Sequence, residues 1–234
     1  MTGTLLNTGT IIVGGGLGLL LGSRLSPKLK QTVVAALGLF TLVYGVTMFF
    51  KTQNSLVVLG AMVIGTILGE WMHLEEGLEG LGGKMERWFN KADGAEEREK
   101  FIKGFLTASL LFCIGPMAIL GSIEDGLTGN INTLAVKSIL DGFTAMAFAS
   151  TLGVGVLFSA VLVLIYQGAI TLLAAQLQNL ATAAMLNELS AAGGVILLGI
   201  AISGLLEIKK IRTASFLPAL ILAPLIVYLL TLFH

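Results

Sequence analysis

The chain has 234 residues, of which 55% are hydrophobic and only 12% are charged, and its mean hydropathy is +0.91. A soluble domain carries about 25% charged residues, so this composition excludes a soluble fold and indicates a polytopic membrane protein. It also excludes a nucleic-acid-binding protein, a secreted disulfide scaffold and a disordered linker. The single cysteine, Cys113, excludes an internal disulfide bond and a metal site built from several cysteines.

Eight stretches of the sequence are long and apolar enough to cross a bilayer. The hydrocarbon core is about 30 Å thick and needs about 20 apolar residues per helix. In chain order the candidate spans are Leu5–Leu21, Gln31–Phe50, Ser55–Met72, Phe101–Leu120, Leu134–Ser150, Gly153–Ala175, Gly193–Leu206 with an extension upstream, and Ala214–Phe233. We therefore predict an all-α fold, a transmembrane bundle of about eight helices in a single integral membrane domain over residues 1–234.

Basic residues predict the orientation of these spans, because cytoplasmic loops retain lysine and arginine. With eight spans, twelve of the 14 basic residues fall on one side and Lys51 on the other. Without the fifth span, Lys209, Lys210 and Arg212 would move to the wrong side. Both termini are then expected outside. The first residues, MTGTLLNTGT, carry neither a basic stretch nor a cleavage signal and are interpreted as a retained first helix.

Charge is concentrated in the connection between the third and fourth spans. Fifteen of the 28 charged residues lie between Glu70 and Lys103. Apolar side chains recur there at helical spacing, at Leu74, Leu78, Leu81, Met85, Trp88 and Phe89. This pattern predicts an amphipathic helix on the cytoplasmic membrane surface, followed by an exposed loop from Lys91 to Lys100. We expect residues 74–100 to form an anchored connector, with a regulatory or partner-binding role as the alternative.

Glycines recur every four residues in two of the spans. Gly14, Gly18 and Gly22 form one smooth stripe, and Gly65 and Gly69 repeat the spacing. Such stripes let helices approach closely. The first stripe predicts either a homo-oligomer interface or packing inside one protomer. A weak similarity also relates LGAMVIGTILGE in span three to LGIAISGLLE in span seven, by duplication or by coincidence in glycine-rich helices.

Span four is predicted to break, because Pro116 removes a backbone hydrogen bond and Gly115 weakens the same turn. Backbone that is freed at membrane depth must be buried in protein or line a wet cavity. The segment after the break, up to Thr133, brings Glu124, Asp125 and Asn130 to the outer end of the spans. This segment is either an exposed hairpin or a partly re-entrant loop with functional carboxylates.

Span five contains two ionisable residues, Lys137 and Asp141, on one face of a helix. A charge in the bilayer core costs about 2.5 kcal/mol or more, so such residues usually pair or face water. They form either a structural pair or a cation or proton site in which Asp141 acts with Glu124 or Asp125 and Lys137 tunes it. Gln167 in span six lines the same cavity or bonds across helices. The candidate binding residues are Glu124, Asp125, Asn130, Lys137, Asp141 and Gln167.

The helix break, the charged fifth span and Gln167 lie within longer characteristic runs of sequence. These runs are FCIGPMAILGSIEDGL, KSILDGFTAMAFAS, LIYQGAITLLA and IKKIRTASFLPALILAPL. With them, the whole chain resembles the uncharacterised bacterial membrane proteins called domain of unknown function 554, the YdfK/YqgA-like proteins. This resemblance implies a multi-pass protein of a prokaryotic plasma membrane. It supplies no substrate, activity or catalytic residues.

Three classes of function compete. The broken fourth span and the charged fifth span favour a secondary transporter or channel for a small solute or ion. A non-transporting scaffold or regulatory protein is the alternative. An intramembrane enzyme is least favoured, because no G-x-G-D, H-E-x-x-H or Ser-His motif is present. No Walker A motif is present either, so any transport is expected to be secondary or passive. We expect no cofactor, no metal and no nucleic acid, and partners limited to the bilayer, a small solute or cation, and a second copy through Gly14, Gly18 and Gly22.

Overall fold

The computed structural model describes residues 1–89, 95–177 and 182–232. That part of the chain forms eleven α-helices and no strand, which confirms the all-α fold. The helices are α1 (Thr2–Gly22), α2 (Pro27–Phe49), α3 (Ser55–Trp71), α4 (Leu74–Phe89), α5 (Ala95–Cys113), α6 (Pro116–Thr128), α7 (Asn132–Leu152), α8 (Gly155–Leu172), α9 (Ala174–Leu177), α10 (Ala183–Ile200) and α11 (Pro218–Leu232). A π-helical turn, Ala201–Leu205, continues α10, and a 3-10 turn, Thr213–Phe216, precedes α11.

Five of the described helical segments are long and apolar enough to cross a membrane, and seven if each of two bent pairs counts as one span. The bent pairs are α3 with α4, at 56°, and α5 with α6, at 62°. The second bend lies at the break predicted from Gly115 and Pro116. α7 is not among the seven, but its 21 residues extend about 32 Å, which is enough to cross.

The directions of packed helices favour α7 as an eighth span. Spans that cross a bilayer in turn alternate in direction. α1 and α7 pack in parallel, since Gly14 lies against Gly142 and Gly22 against Ser150. α3 and α11 run antiparallel, since Gly65 lies against Ala219 while Gly69 lies against Ser215. Both relations follow from eight crossings, whereas omitting α7 would make α3 and α11 parallel.

The chain divides into two compact units. Unit 1 comprises described residues of 1–34, 79–113 and 117–177, and unit 2 comprises described residues of 35–78, 114–116 and 178–234. Both units are discontinuous in sequence, so each is assembled from helices far apart along the chain. The expectation of a single integral membrane domain stays a prediction. The two segments LGAMVIGTILGE and LGIAISGLLE both belong to unit 2, and whether they are a true repeat is likewise untested.

Glycines hold the helices of unit 1 close together. A Cβ placed on Gly14, Gly18 or Gly22 would overlap a backbone carbonyl oxygen of α7. A Cβ on Gly155 of α8 would overlap the Phe101 carbonyl oxygen of α5 in the same way. The α1 stripe is therefore covered by α7 within the chain, as the interpretation of packing inside one protomer expects. Homo-oligomerisation stays a prediction.

In unit 2 the start of α4 is tied to the segment that precedes α11. The Arg212 guanidinium lies 2.8 Å from Glu70 and also pairs with Glu76. The Ala214 backbone N–H donates to the buried carboxylate of Glu75 at 2.8 Å. The hydrogen bond that the exposed Glu76 carboxylate accepts from its own backbone N–H, with the charge and hydrogen bond of Arg212, lowers the pKa of Glu76.

Two sequence predictions need correction in this part of the fold. The segment from Gly121 to Thr133 is not a hairpin: it is helical up to Thr128, and only residues 129–131 connect α6 to α7. The segment predicted as a loop is helical from Ala95 onward, while Lys91 and the Asp93-Gly94 pair lie outside the described residues. The connector over residues 74–100 thus includes the first turns of α5.

The amphipathic helix predicted after span three is present as α4, Leu74–Phe89. Glu86 is buried, as Glu75 is, so this helix does not turn all of its acidic side chains to water. The side chains of Trp88 and Phe89 lie outside the described part of the chain.

Candidate functional site

A charge pair is buried inside unit 1. Lys137 and Asp141 lie one turn apart on α7, and the Lys137 ammonium donates directly to Asp141 Oδ2. The two residues are 7% and 8% exposed, so neither faces lipid. The i, i+4 spacing brings the ammonium and the carboxylate together on one helix face.

Asn7 joins this pair to a third helix. Its Nδ2 donates to Asp141 Oδ2 at 3.0 Å and to Gln167 Oε1 of α8 at 3.3 Å. Both amides are completely buried. Because a carboxylate can only accept, the contact with Asp141 fixes which end of the Asn7 amide is nitrogen. Three helices, α1, α7 and α8, thus meet at one polar cluster.

This polar cluster, Asn7, Lys137, Asp141 and Gln167, has hydrogen-bonding capacity left over. Asn7 Oδ1 and Gln167 Nε2 are buried and have no partner among the described atoms. Leaving such groups unpaired costs about 1–3 kcal/mol each, so their retention calls for an explanation. The cluster offers one free acceptor and one free donor, and its ammonium and carboxylate give it a formal net charge of zero.

A second polar layer lies toward the start of α1. Thr4 Oγ1 is 3.2 Å from Thr171 Oγ1, one turn from Asn7 on α1 and one turn from Gln167 on α8. Thr4 and Thr171 are both buried. The contact connects α1 and α8 a second time, on the side where α1 begins.

Asp125 of α6 lies at the outermost level of this arrangement. Its Oδ2 accepts from the Gly3 backbone N–H at 3.0 Å and lies 2.9 Å from the Met1 amino group. The carboxylate is buried and caps the first turn of α1, where free N–H groups and the helix dipole favour negative charge.

The other predicted residues do not join the cluster through any recorded hydrogen bond. Glu124 accepts from the Thr133 hydroxyl at 2.7 Å, which ties α6 to the first turn of α7. Asn130 is exposed in the short connection between these helices, and its Oδ1 accepts from the Asn132 N–H at 3.1 Å. Of the six candidate residues, the structure therefore brings three together, Lys137, Asp141 and Gln167, and places Asp125 in the adjoining layer.

The fourth span is broken where α5 ends at Cys113 and α6 begins at Pro116. Cys113, the last residue of α5, is half-buried. Discontinuous helices at a polar site are typical of secondary transporters, because their ends offer unpaired backbone groups. The expectation that the break and the charged span form one polar path stays a prediction.

Sequence reasoning missed Asn7, Thr4 and Thr171. A usable signal was present: Asn7 lies seven residues, or about two turns, before Gly14 and so shares the face of the glycine stripe. Thr171 similarly follows Gln167 by four residues. The polar residues at the start of MTGTLLNTGT were interpreted as the beginning of a helix, not as part of its buried face.

The cavities in the described part of the chain include the following two. One is a groove of about 540 Å³ between α1 and α7, whose lining includes Gly9, Ser138 and Phe143. The other, about 200 Å³, lies in unit 2 beside the buried Glu188. Neither is lined by Lys137 or Asp141. No group of three or more His, Cys, Asp or Glu side chains suited to a metal ion occurs among the described residues.

The apolar helices and the buried cluster define a class of protein: a multi-pass helical membrane protein with a charge pair inside its helices. Comparison with known proteins then gives the family. The model of the family described as "Protein of unknown function (DUF554)" matches residues 2–228, and the chain belongs to this family.

Two relatives are similar along nearly their whole length. The uncharacterized protein YqgA of Escherichia coli (strain K12) is 34% identical over 223 residues, which cover 94% of each chain. The uncharacterized membrane protein YdfK of Bacillus subtilis (strain 168) is 30% identical over 237 aligned positions, which cover all of this chain and 98% of that protein. No solved structure matches the chain. The family predicted from the sequence is confirmed, and a relative is described as a membrane protein.

Proposed function

We propose that this protein is a secondary transporter or channel that moves a small solute or ion through the polar cluster of Asn7, Lys137, Asp141 and Gln167. The observation that carries the proposal is the buried charge pair together with two unpaired amide atoms. Charged residues inside a membrane helix are costly and usually mark a pathway. Well-packed apolar side chains stabilise a core at least as well as a buried ion pair, so stability alone does not account for Lys137 and Asp141.

The neighbouring features support the same proposal. The fourth span is broken between α5 and α6 by a bend of 62°, and discontinuous helices are typical of secondary transporters. The polar layer of Thr4 and Thr171 leads from the start of α1 toward the cluster. Asp125, in place of Glu124, is the outer carboxylate of this arrangement. The proposal assigns no chemical reaction and no cofactor, and it keeps the protein in a bacterial plasma membrane with both termini outside.

One observation favours the alternative, a scaffold or regulatory membrane protein. Lys137 and Asp141 are in direct contact, and neither described cavity opens onto them. Through Asn7, such a closed pair also connects α7 to α1 and α8. The unpaired Asn7 Oδ1 and Gln167 Nε2 weigh against a purely structural role, because a cluster built for stability would satisfy both atoms.

Flux through proteoliposomes tests the proposal. Wild type and Asp141→Asn are reconstituted from the full chain and compared across several pH values and ion gradients. Solute entry is followed by light scattering, and ion entry by ion-sensitive dyes. Glu97→Gln is the matched control, because it removes an exposed carboxylate far from the spans' polar cluster. We expect flux in wild type and control and none in Asp141→Asn; identical flux in all three would remove Asp141 from the mechanism.

A further inference from the structure

Resting on the proposed function, we infer that the polar cluster takes a small zwitterion, a solute with one positive and one negative group and no net charge. Its ammonium group would pair with Asp141 and its acid group with Lys137. The inference selects one substrate class and excludes a lone cation or a lone anion as the preferred ligand.

The polar cluster is electrically neutral, and this neutrality favours a ligand without net charge. The cluster contains one ammonium and one carboxylate, and each is the other's partner. An added lone cation would compete for Asp141 and leave one positive charge unpaired in a buried site. An added lone anion would compete for Lys137 and leave one negative charge, on Asp141 or on the anion, unpaired. An unpaired buried charge is far more costly than a paired one. A zwitterion inserted between the two side chains converts one ion pair into two, and every charge keeps a partner.

The unpaired amides supply the second, independent argument. Asn7 Oδ1 is a free acceptor and Gln167 Nε2 a free donor, both on completely buried side chains in the same cluster. An ammonium group can donate to Asn7 Oδ1 while it pairs with Asp141, which Asn7 already contacts at 3.0 Å. An acid group can accept from Gln167 Nε2. A ligand that carries both a donor cation and an acceptor anion satisfies both atoms, whereas either half alone satisfies one.

The charge pair at Asp125 does not disturb this count. Asp125 accepts from the Gly3 N–H and lies 2.9 Å from the Met1 amino group, one polar layer away from Asp141. No group of acidic, histidine or cysteine side chains suited to a metal ion occurs within the described segments 1–89, 95–177 and 182–232. The charges of the polar cluster are therefore those of Lys137 and Asp141 alone.

Binding of a zwitterion and of its two halves tests the inference. Purified full-length protein is titrated with glycine, alanine and β-alanine, and separately with methylammonium chloride, sodium acetate and sodium chloride. We expect at least one of the three zwitterions to bind wild type, with both halves weaker by about thirtyfold or more, a ratio typical of a buried charge that loses its partner. No binding of any zwitterion, or tighter binding of methylammonium, sodium or acetate, overturns the inference.

Single substitutions invert the charge preference and keep the test independent of wild-type affinity. Lys137→Gln leaves a net negative cluster and is expected to prefer methylammonium over glycine, whereas Asp141→Asn leaves a net positive cluster and is expected to prefer acetate. Lys100→Gln, at an exposed position, keeps the wild-type preference. If both variants fail to fold, the wild-type ligand series alone decides. If sodium or protons carry a flux that depends on Asp141, the proposed transport function holds, but the inference of a zwitterionic substrate is wrong.

Discussion

The Lys137–Asp141 pair can be removed in two ways that separate stability from transport. Asp141→Leu alone leaves a buried ammonium unpaired, which is expected to destabilise the protein by about 3–5 kcal/mol. The double variant Lys137→Met with Asp141→Leu replaces both charges with apolar groups and should be about as stable as wild type. Thermal unfolding of the purified chain measures both effects.

The same double variant discriminates between the two functions. A transporter loses flux when both charges are gone, even though it is stable. A scaffold keeps its role, because the helices still pack. If the double variant unfolds as readily as Asp141→Leu, the pair contributes more to the fold than its charges alone imply. Lys100→Met is the control, since it removes an exposed ammonium.

Asn7 is expected to matter more than Asn130. Asn7→Ala removes two hydrogen bonds: Gln167 Oε1 loses its recorded partner, while Asp141 Oδ2 keeps only its contact with Lys137. The expected cost is about 1–3 kcal/mol. Asn130 is exposed, and its side chain accepts from the nearby Asn132 backbone N–H, so Asn130→Ala should change the free energy of unfolding by about 0.5 kcal/mol or less. Parallel thermal melts of the two variants measure the difference; equal effects would place Asn7 outside the stabilising network.

Some residues of the polar cluster could be predicted from the sequence and others could not. Lys137 and Asp141 were found because charges are conspicuous in an apolar helix and their spacing fixes one face. Glu124 and Asp125 are adjacent in sequence but point about 100° apart on α6, so only one of them reaches α1. Which one does depends on tertiary packing, and the sequence alone does not contain it. Asn7 was missed because an amide carries no charge and lies near the start of its helix.

At the scale of elements, the glycine stripe of α1 gives a direct test of close packing. Gly18→Ala places a methyl group into the Met146 carbonyl of α7, and overpacking of this kind costs about 1–3 kcal/mol. Gly16 is on the same helix, but a Cβ there meets no other atom within 4 Å. Gly16→Ala should therefore leave stability unchanged or raise it slightly, because alanine favours helix.

Thermal melts of Gly18→Ala and Gly16→Ala, with size-exclusion profiles, separate the two interpretations of the stripe. A lower melting temperature with an unchanged oligomeric state is expected for Gly18→Ala, since α7 covers the stripe within the chain. Dissociation of an oligomer without loss of melting temperature would instead favour an interface between two copies.

Glycines also explain why the elements were predicted unevenly. Most of the spans are close to the observed helices, because apolar runs set their length. The exceptions are α10, which begins at Ala183 and not near Gly193, and the fourth span, whose two helices extend from Ala95 to Thr128. The sequence predicts a hairpin or a partly re-entrant loop after Gly121, since its glycines and polar residues are typical of turns. In the structure a Cβ on Gly121 would press on Leu134, and one on Gly126 would overlap the Thr171 carbonyl. These glycines allow helices to touch, a role that sequence composition does not distinguish from a turn.

At the scale of the whole molecule, the number of crossings rests on direction as well as hydropathy. Hydropathy alone leaves α7 out, because Lys137 and Asp141 lower its average. The parallel pair of α1 and α7 and the antiparallel pair of α3 and α11 require α5 with α6 to act as one crossing and α7 as another. The distribution of lysine and arginine independently predicts eight spans, because basic residues are retained in cytoplasmic loops.

Labelling of single cysteines from either side of the membrane tests that count. In a Cys113→Ala background, cysteines replace exposed residues in the connections, Ser26, Lys51, Lys100, Asn130 and Lys209. With eight spans, positions 26, 100 and 209 react on one side and positions 51 and 130 on the other. Position 209 is decisive: if α7 does not cross, a cysteine there reacts on the same side as position 51. Labelling of all positions after detergent solubilisation is the control for reactivity, and agreement of 209 with 51 would reduce the protein to seven spans.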